Sequence, residues 1–108
     1  MAKPRRINNM LNINKDADGS KLTIALQGRL DTTTAPQLDE EVKQLQDKVT
    51  DLNFDMSELQ YISSAGLRVL LSAQKLMNKQ GSMTISNVSP EIMEIFDVTG
   101  FCDILTIK

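Results

Sequence analysis

Leu11 and Ile13 alternate with Asn12 and Asn14, and Leu22, Ile24 and Leu26 alternate with Thr23, Ala25 and Gln27. A period of two places each apolar set on one side of a half-buried strand. Between the two runs, Asp16-Ala17-Asp18-Gly19 is a turn signal whose Asp-Gly pair accommodates positive φ. The two strands are therefore expected to pair as a hairpin, the second ending at Gly28-Arg29-Leu30-Asp31. The period then changes. Leu38, Val42 and Leu45 recur at i, i+4 and i+7 with Asp39, Glu40, Glu41 and Lys43 facing outward, which predicts an amphipathic helix. Thr34 and Gln37 fit a capping box at its start, and Pro36 falls in the first turn, where a missing N–H costs little.

Leu52, Phe54 and Met56 predict a third strand, followed by a short polar loop from Ser57 to Ser64. A hydroxyl pair, Ser63-Ser64, then opens an apolar segment of helical length, from about Ser64 to Asn78. Its wide apolar face holds Leu67, Val69, Leu70, Leu71, Ala73, Leu76 and Met77, and Gly81 marks its end. Met83 and Ile85 predict a fourth strand. Ser89-Pro90-Glu91 caps a short helix with Ile92, Ile95 and Phe96 inward and Gly100 as its stop, and Ile104, Leu105 and Ile107 predict a last strand.

The order β-β-α-β-α-β-α-β implies an α/β domain with a mixed sheet, an N-terminal hairpin, three helices and right-handed crossovers between parallel strands. Residues 1–9 are expected to form a flexible tail and residues 10–108 the domain. Sites in such sheets favour the carboxyl ends of the parallel strands. That rim should gather three loops: Asp31 to Thr34, Ser57 to Ser64, and Asn87 to Ser89.

Composition narrows the chemistry. With 12 basic and 14 acidic residues, the chain carries no nucleic-acid footprint, and no apolar run reaches membrane-spanning length. The cationic start Met1-Ala2-Lys3-Pro4-Arg5-Arg6 lacks the apolar stretch of a secretory signal. There is no histidine, which removes Ser-His-Asp catalysis and most zinc enzymology. The single cysteine, Cys102, sits among Phe101, Ile104 and Leu105 and reads as a buried, inert thiol in a reducing compartment. Gly-rich phosphate-binding motifs are missing from the sequence, so no nucleotide cofactor is expected.

Ser63 or Ser64 falls at a helix start, where backbone N–H groups are unpaired and negative charge is favoured. One reading makes the pair a simple cap. The other makes one serine a phosphoacceptor, which needs no local base because an incoming kinase supplies it. Asp31, on the same rim, is a candidate for positioning that serine.

Ile62-Ser63-Ser64-Ala65-Gly66-Leu67-Arg68-Val69-Leu70-Leu71 resembles the signature loop and helix of STAS domains, named for sulfate transporters and anti-sigma factor antagonists. Gly28-Arg29-Leu30-Asp31, Ser89-Pro90 and Phe96-Asp97-Val98-Thr99-Gly100 extend the resemblance from about Leu11 to Ile107. It implies a non-enzymatic cytoplasmic bacterial protein that binds an anti-sigma factor serine kinase. The kinase would phosphorylate it on the loop serine, and a PP2C-type phosphatase would reverse the step. Against the family's Asp-Ser-Ser/Thr-Gly form, Ser64 falls on the phosphoacceptor, with Ser63 the runner-up standing where the family has aspartate. The implied partner-binding set is Asp31, Thr32, Thr33, Ser63, Ser64, Ala65, Gly66 and Arg68. Many members carry a C-terminal helix after the last strand that this sequence does not show, so one sheet face is expected to be thinly covered or used for association. A second role compatible with the resemblance is an accessory or scaffold subunit, in a lipid-transport ABC complex or a stress-signalling assembly, with no phosphorylation switch.

Overall fold

The computed structural model describes residues 11–45 and 48–108; the expected tail, residues 1–9, lies outside them. Its elements are β1 (Leu11–Asp18), β2 (Lys21–Leu30), α1 (Ala35–Lys43), β3 (Asp51–Ile62), α2 (Ser64–Gln80), β4 (Ser82–Ser86) and α3 (Pro90–Thr99), followed by a 3₁₀ turn at Phe101–Asp103. The strands lie side by side in chain order, β1 antiparallel to β2 and β2, β3 and β4 mutually parallel. The hairpin and the parallel crossovers are thus as the alternation predicts.

One face of this sheet is apolar and sealed. Leu22, Ile24 and Leu26 of β2, Leu52, Phe54 and Met56 of β3, and Met83 and Ile85 of β4 all point into the core. Each such side chain contributes on the order of 1.5–3 kcal/mol on burial. Leu38 and Val42 of α1, Leu70, Ala73 and Met77 of α2, and Ile92 and Phe96 of α3 join the same core. The opposite face is polar. Its rows, such as Asp16–Thr23–Asn53–Thr84 and Asn14–Ala25–Asp55–Ser86, alternate with the buried set and remain wholly or partly exposed. Side chains bond one another across it, Thr84 Oγ1 to Asn53 Oδ1 at 2.9 Å and Asn12 Nδ2 to Gln27 Oε1 at 3.2 Å. Period-two alternation therefore produces a two-layer domain with one solvated sheet surface.

Three local expectations are corrected. The segment read as a loop, Ser57 to Ser64, is strand as far as Ile62. Two register shifts against β2, between Ala25 and Gln27 and between Gly28 and Arg29, each give β3 one residue more than its partner. A bulge of this kind resets which side chain faces inward. The buried residues consequently fall three apart, at Met56, Leu59 and Ile62. The predicted last strand shrinks to one parallel bridge, Ile85 with Ile107, because the chain first turns through Phe101–Asp103. The bridge still lies at the open edge of β4, where the connection through α3 delivers it. Cys102 is half-buried rather than buried, its Sγ 3.9 Å from Met93 Sδ.

Candidate functional site

The bulged extension of β3 carries the chain to the rim beside the end of β2. There the Ser63 N–H donates to the Leu30 carbonyl at 2.9 Å. That bond fixes two helix starts next to each other: the turn Asp31–Thr34 before α1 and the step Ser63–Ser64 into α2.

At the start of α1 the polar groups are committed to one another. Asp31 Oδ1 accepts from the Thr33 N–H at 3.0 Å, the Thr33 hydroxyl at 2.8 Å and the Thr34 N–H at 3.2 Å. Asp31 Oδ2 lies 3.5 Å from Arg29 Nε, and the Arg29 guanidinium rests 4.4 Å above the Tyr61 ring. These hydrogen bonds, the Thr33 hydroxyl first, hold the Asp31 carboxyl below its ordinary value against the opposing effect of desolvation. Thr34 is buried, and its hydroxyl donates to the Arg29 carbonyl at 2.7 Å while accepting from the Asp31 N–H at 2.9 Å. The expected capping box with Gln37 does not form, since this hydroxyl turns back into the Asp31 turn instead of reaching into α1. Pro36 does sit in the first helical turn.

The start of α2 is sparer. Ser63 is the N-cap of α2 and its Oγ accepts from the Gly66 N–H at 3.4 Å. Ser64 is the first residue of the helix and exposed, and among the described residues its hydroxyl has no hydrogen-bond partner. Gly66 is buried against β2 and β3. A Cβ there would stand 2.7 Å from Leu30 Cγ and 2.9 Å from Ile62 Cγ1, so only the bare backbone lets the first turn of α2 settle on both strand ends. Within the expected partner-binding set, Gly66 thus places the helix start and offers no surface of its own.

Thr32, Ala65 and Arg68 come together in a cleft of about 300 Å³ between α1 and α2, along with Ala35, Pro36, Asp39, Val69 and Ser72. Ala35, Pro36, Ala65 and Val69 make part of its lining apolar, and Asp39 and Arg68 bring opposite charges to it. Asp39 pairs with Lys43 at 3.2 Å, whereas Arg68 has no ion-pair partner among the described residues. Asp31 does not reach the serines with its side chain; the link between the two helix starts is the backbone bond from Ser63 to Leu30.

The arrangement is poor in catalytic means. No histidine exists to deprotonate Ser64. Asp31 and Asp55 belong to separate networks, for Asp55 Oδ1 accepts from Asn87 Nδ2 and from the Ser57 N–H, each at 3.0 Å. Among the described residues no acidic or thiol cluster could hold a metal, and no helix is long and apolar enough to cross a membrane. What the site does offer is an accessible hydroxyl on a defined backbone. Sequence reasoning missed the roles of Thr34, Asn87 and the Arg29–Tyr61 stack. Asn87 left a signal, an Asn just before a helix cap, and it takes the left-handed conformation at φ 58°.

A family model described as the STAS domain matches residues 12–108. The anti-sigma-B factor antagonist of Bacillus subtilis is 32% identical over 101 residues, which span 91% of this chain and 93% of that protein. A crystal structure of an anti-sigma factor antagonist from Mycobacterium paratuberculosis superposes with a TM-score of 0.80 at 16% identity, covering 94% of this chain and 87% of the other. The Bacillus cell fate determinant SpoIIAA in its phosphorylated form gives 0.71 at 19% identity, covering 90% and 91%.

Proposed function

The chain belongs to the STAS-domain family, and on that footing we propose that it is an anti-sigma factor antagonist switched by a phosphate on Ser64. In this reading it binds a cytoplasmic anti-sigma factor that is also a serine kinase, and its binding frees a sigma factor. The kinase transfers the γ-phosphoryl group of ATP to the Ser64 hydroxyl: a bond from Oγ to phosphorus forms, the bond from phosphorus to ADP breaks, and the hydroxyl proton passes to a base on the kinase. A PP2C-type phosphatase reverses the modification. The chain is substrate and binding partner here, without catalytic residues or cofactor of its own.

One observation carries this reading: the Ser64 hydroxyl is exposed and, among the described residues, unpartnered at the first position of α2, while the Ser63 Oγ accepts the cap bond from the Gly66 N–H. A phosphate of about −1.5 to −2 charge suits a helix N-terminus, so the domain keeps its fold when modified. A protein docked on the rim meets that charge directly. Repulsion or desolvation of about 2.8 kcal/mol weakens its affinity a hundredfold. The shared architecture with phosphorylated SpoIIAA supports a fold that accommodates such a group.

The test is incubation with ATP and purified anti-sigma factor serine kinases from the same genome, then mass-spectrometric mapping. Label on Ser64, abolished in Ser64→Ala, is expected. Absence of label with every cognate kinase would favour the accessory or scaffold role, and label on Ser63 would overturn the assignment.

A further inference from the structure

Arg68 has no assigned task in that switch. It follows Ser64 by one helical turn on α2, a spacing that stacks the two side chains, with the later one leaning back toward the helix start. Both residues are exposed, and among the described residues neither the Ser64 hydroxyl nor the Arg68 guanidinium is engaged by another side chain. The nearby acids are paired elsewhere: Asp39, across the cleft on α1, holds Lys43 at 3.2 Å, and Asp31, in the adjoining turn, holds Arg29 at 3.5 Å.

We propose that Arg68 is the built-in counter-ion of a phosphate on Ser64, folding back along α2 to grip two of its oxygens. The planar guanidinium fork suits that task, presenting parallel N–H donors to a phosphate. The proposal rests on the reading of Ser64 as the modified residue and adds a second consequence to it. Unmodified, Arg68 lines the cleft with Ala65 and Val69 and is open to a partner's carboxylate. Modified, it is drawn to the phosphate and leaves the cleft without that cation. Phosphorylation thus changes two neighbouring features of the docking face, adding a negative charge at the loop and withdrawing a positive one beside it.

The test installs phosphoserine at position 64 during translation by amber suppression, so it needs no kinase and stays separate from the question of which enzyme acts. Phosphorus NMR then follows the second phosphate ionisation, near pH 6 for a free phosphoserine, in the parent protein, Arg68→Gln and Arg68→Lys. An adjacent cation favours the dianion, so the midpoint should lie lower in the parent than in Arg68→Gln by roughly 0.3 of a pH unit. The gap should shrink with added salt, and Arg68→Lys should recover part of it. Asp39 and Asp31 push the midpoint the other way in all three proteins and drop out of the comparison. Circular dichroism checks that each variant is folded, and Gln and Lys are both good helix formers. Equal midpoints in the three folded proteins would overturn the assignment of Arg68.

Discussion

The two helix starts at the rim sit side by side and dispose of their hydroxyls in opposite ways. Before α1, two of three consecutive threonines are locked to Asp31 or to backbone, and Thr34 is buried with its hydroxyl both donating and accepting. Before α2, one serine hydroxyl makes a single long cap bond of 3.4 Å and the next makes none among the described residues. Both stretches read alike as polar loops. The difference lies in hydrogen-bond accounting: a polar group satisfied inside the fold is structure, and one left exposed and unsatisfied is open to chemistry from outside. The start of α1 is a brace and the start of α2 is a handle.

The largest effect is expected at Gly66, where α2 meets the ends of both strands. Gly66→Ala drives a Cβ to 2.7 Å from Leu30 Cγ and 2.9 Å from Ile62 Cγ1, branch atoms that cannot swing aside like a chain end. Overpacking of this kind is expected to cost about 2–3 kcal/mol, measured by urea denaturation, and to shift backbone amide resonances in brace and handle alike. A variant as stable as the parent would mean that α2 is not wedged against the strand ends.

A smaller effect separates brace from handle. Thr34→Val keeps the shape but strands the Arg29 carbonyl and the Asp31 N–H in a part-buried turn, for a loss of about 1–2 kcal/mol. Ser64→Ala removes an exposed hydroxyl with no partner among the described residues and should stay within about 0.5 kcal/mol of the parent in the same assay. Equal losses at the two positions would erase the distinction drawn between them.

Much of this was open to inspection in the residues. Leu22-Ile24-Leu26 and Leu52-Phe54-Met56 obey a period of two, and their strands lie where it puts them. The Ser89-Pro90 start and Gly100 stop of α3 also hold, with Ser89 Oγ accepting from the Ile92 N–H at 3.3 Å and Gly100 left-handed at φ 82°. The reading failed where one local rule was displaced by another. Past Met56 the apolar spacing lengthens to three, at Leu59 and Ile62, which looks like a loop unless bulges are admitted. Thr34-x-x-Gln37 has the form of a capping box, but the hydroxyl found Arg29 and Asp31, partners upstream in the chain. Gly66 belongs to the STAS signature, yet its packing against Leu30 is a tertiary contact that spacing does not encode. The exposed serine was legible as a candidate; that Asp31, Thr33 and Thr34 in the adjoining turn are committed to one another was not.

The mildest perturbation tests whether the brace is electrostatic. The folded Asp31 carboxyl titrates below its ordinary value, chiefly because the Thr33 hydroxyl bonds its charged form. An unfolded aspartate ionises near pH 3.9, so the stabilisation is fully present above about pH 4 and drains away as pH falls through the lower folded value. Asp31→Asn keeps an acceptor oxygen but not the charge, and should therefore be less stable than the parent at pH 7, with the gap closing toward pH 3. Asp55 is lowered by its own partners, Asn87 first, in a network that shares no group with Asp31. Asp55→Asn should accordingly add to Asp31→Asn rather than mask it. Denaturation midpoints across that pH range are the measurement. A gap between Asp31→Asn and the parent that is the same at pH 7 and pH 3 would show that the turn is held by shape alone and that the ionised carboxylate adds nothing to the brace.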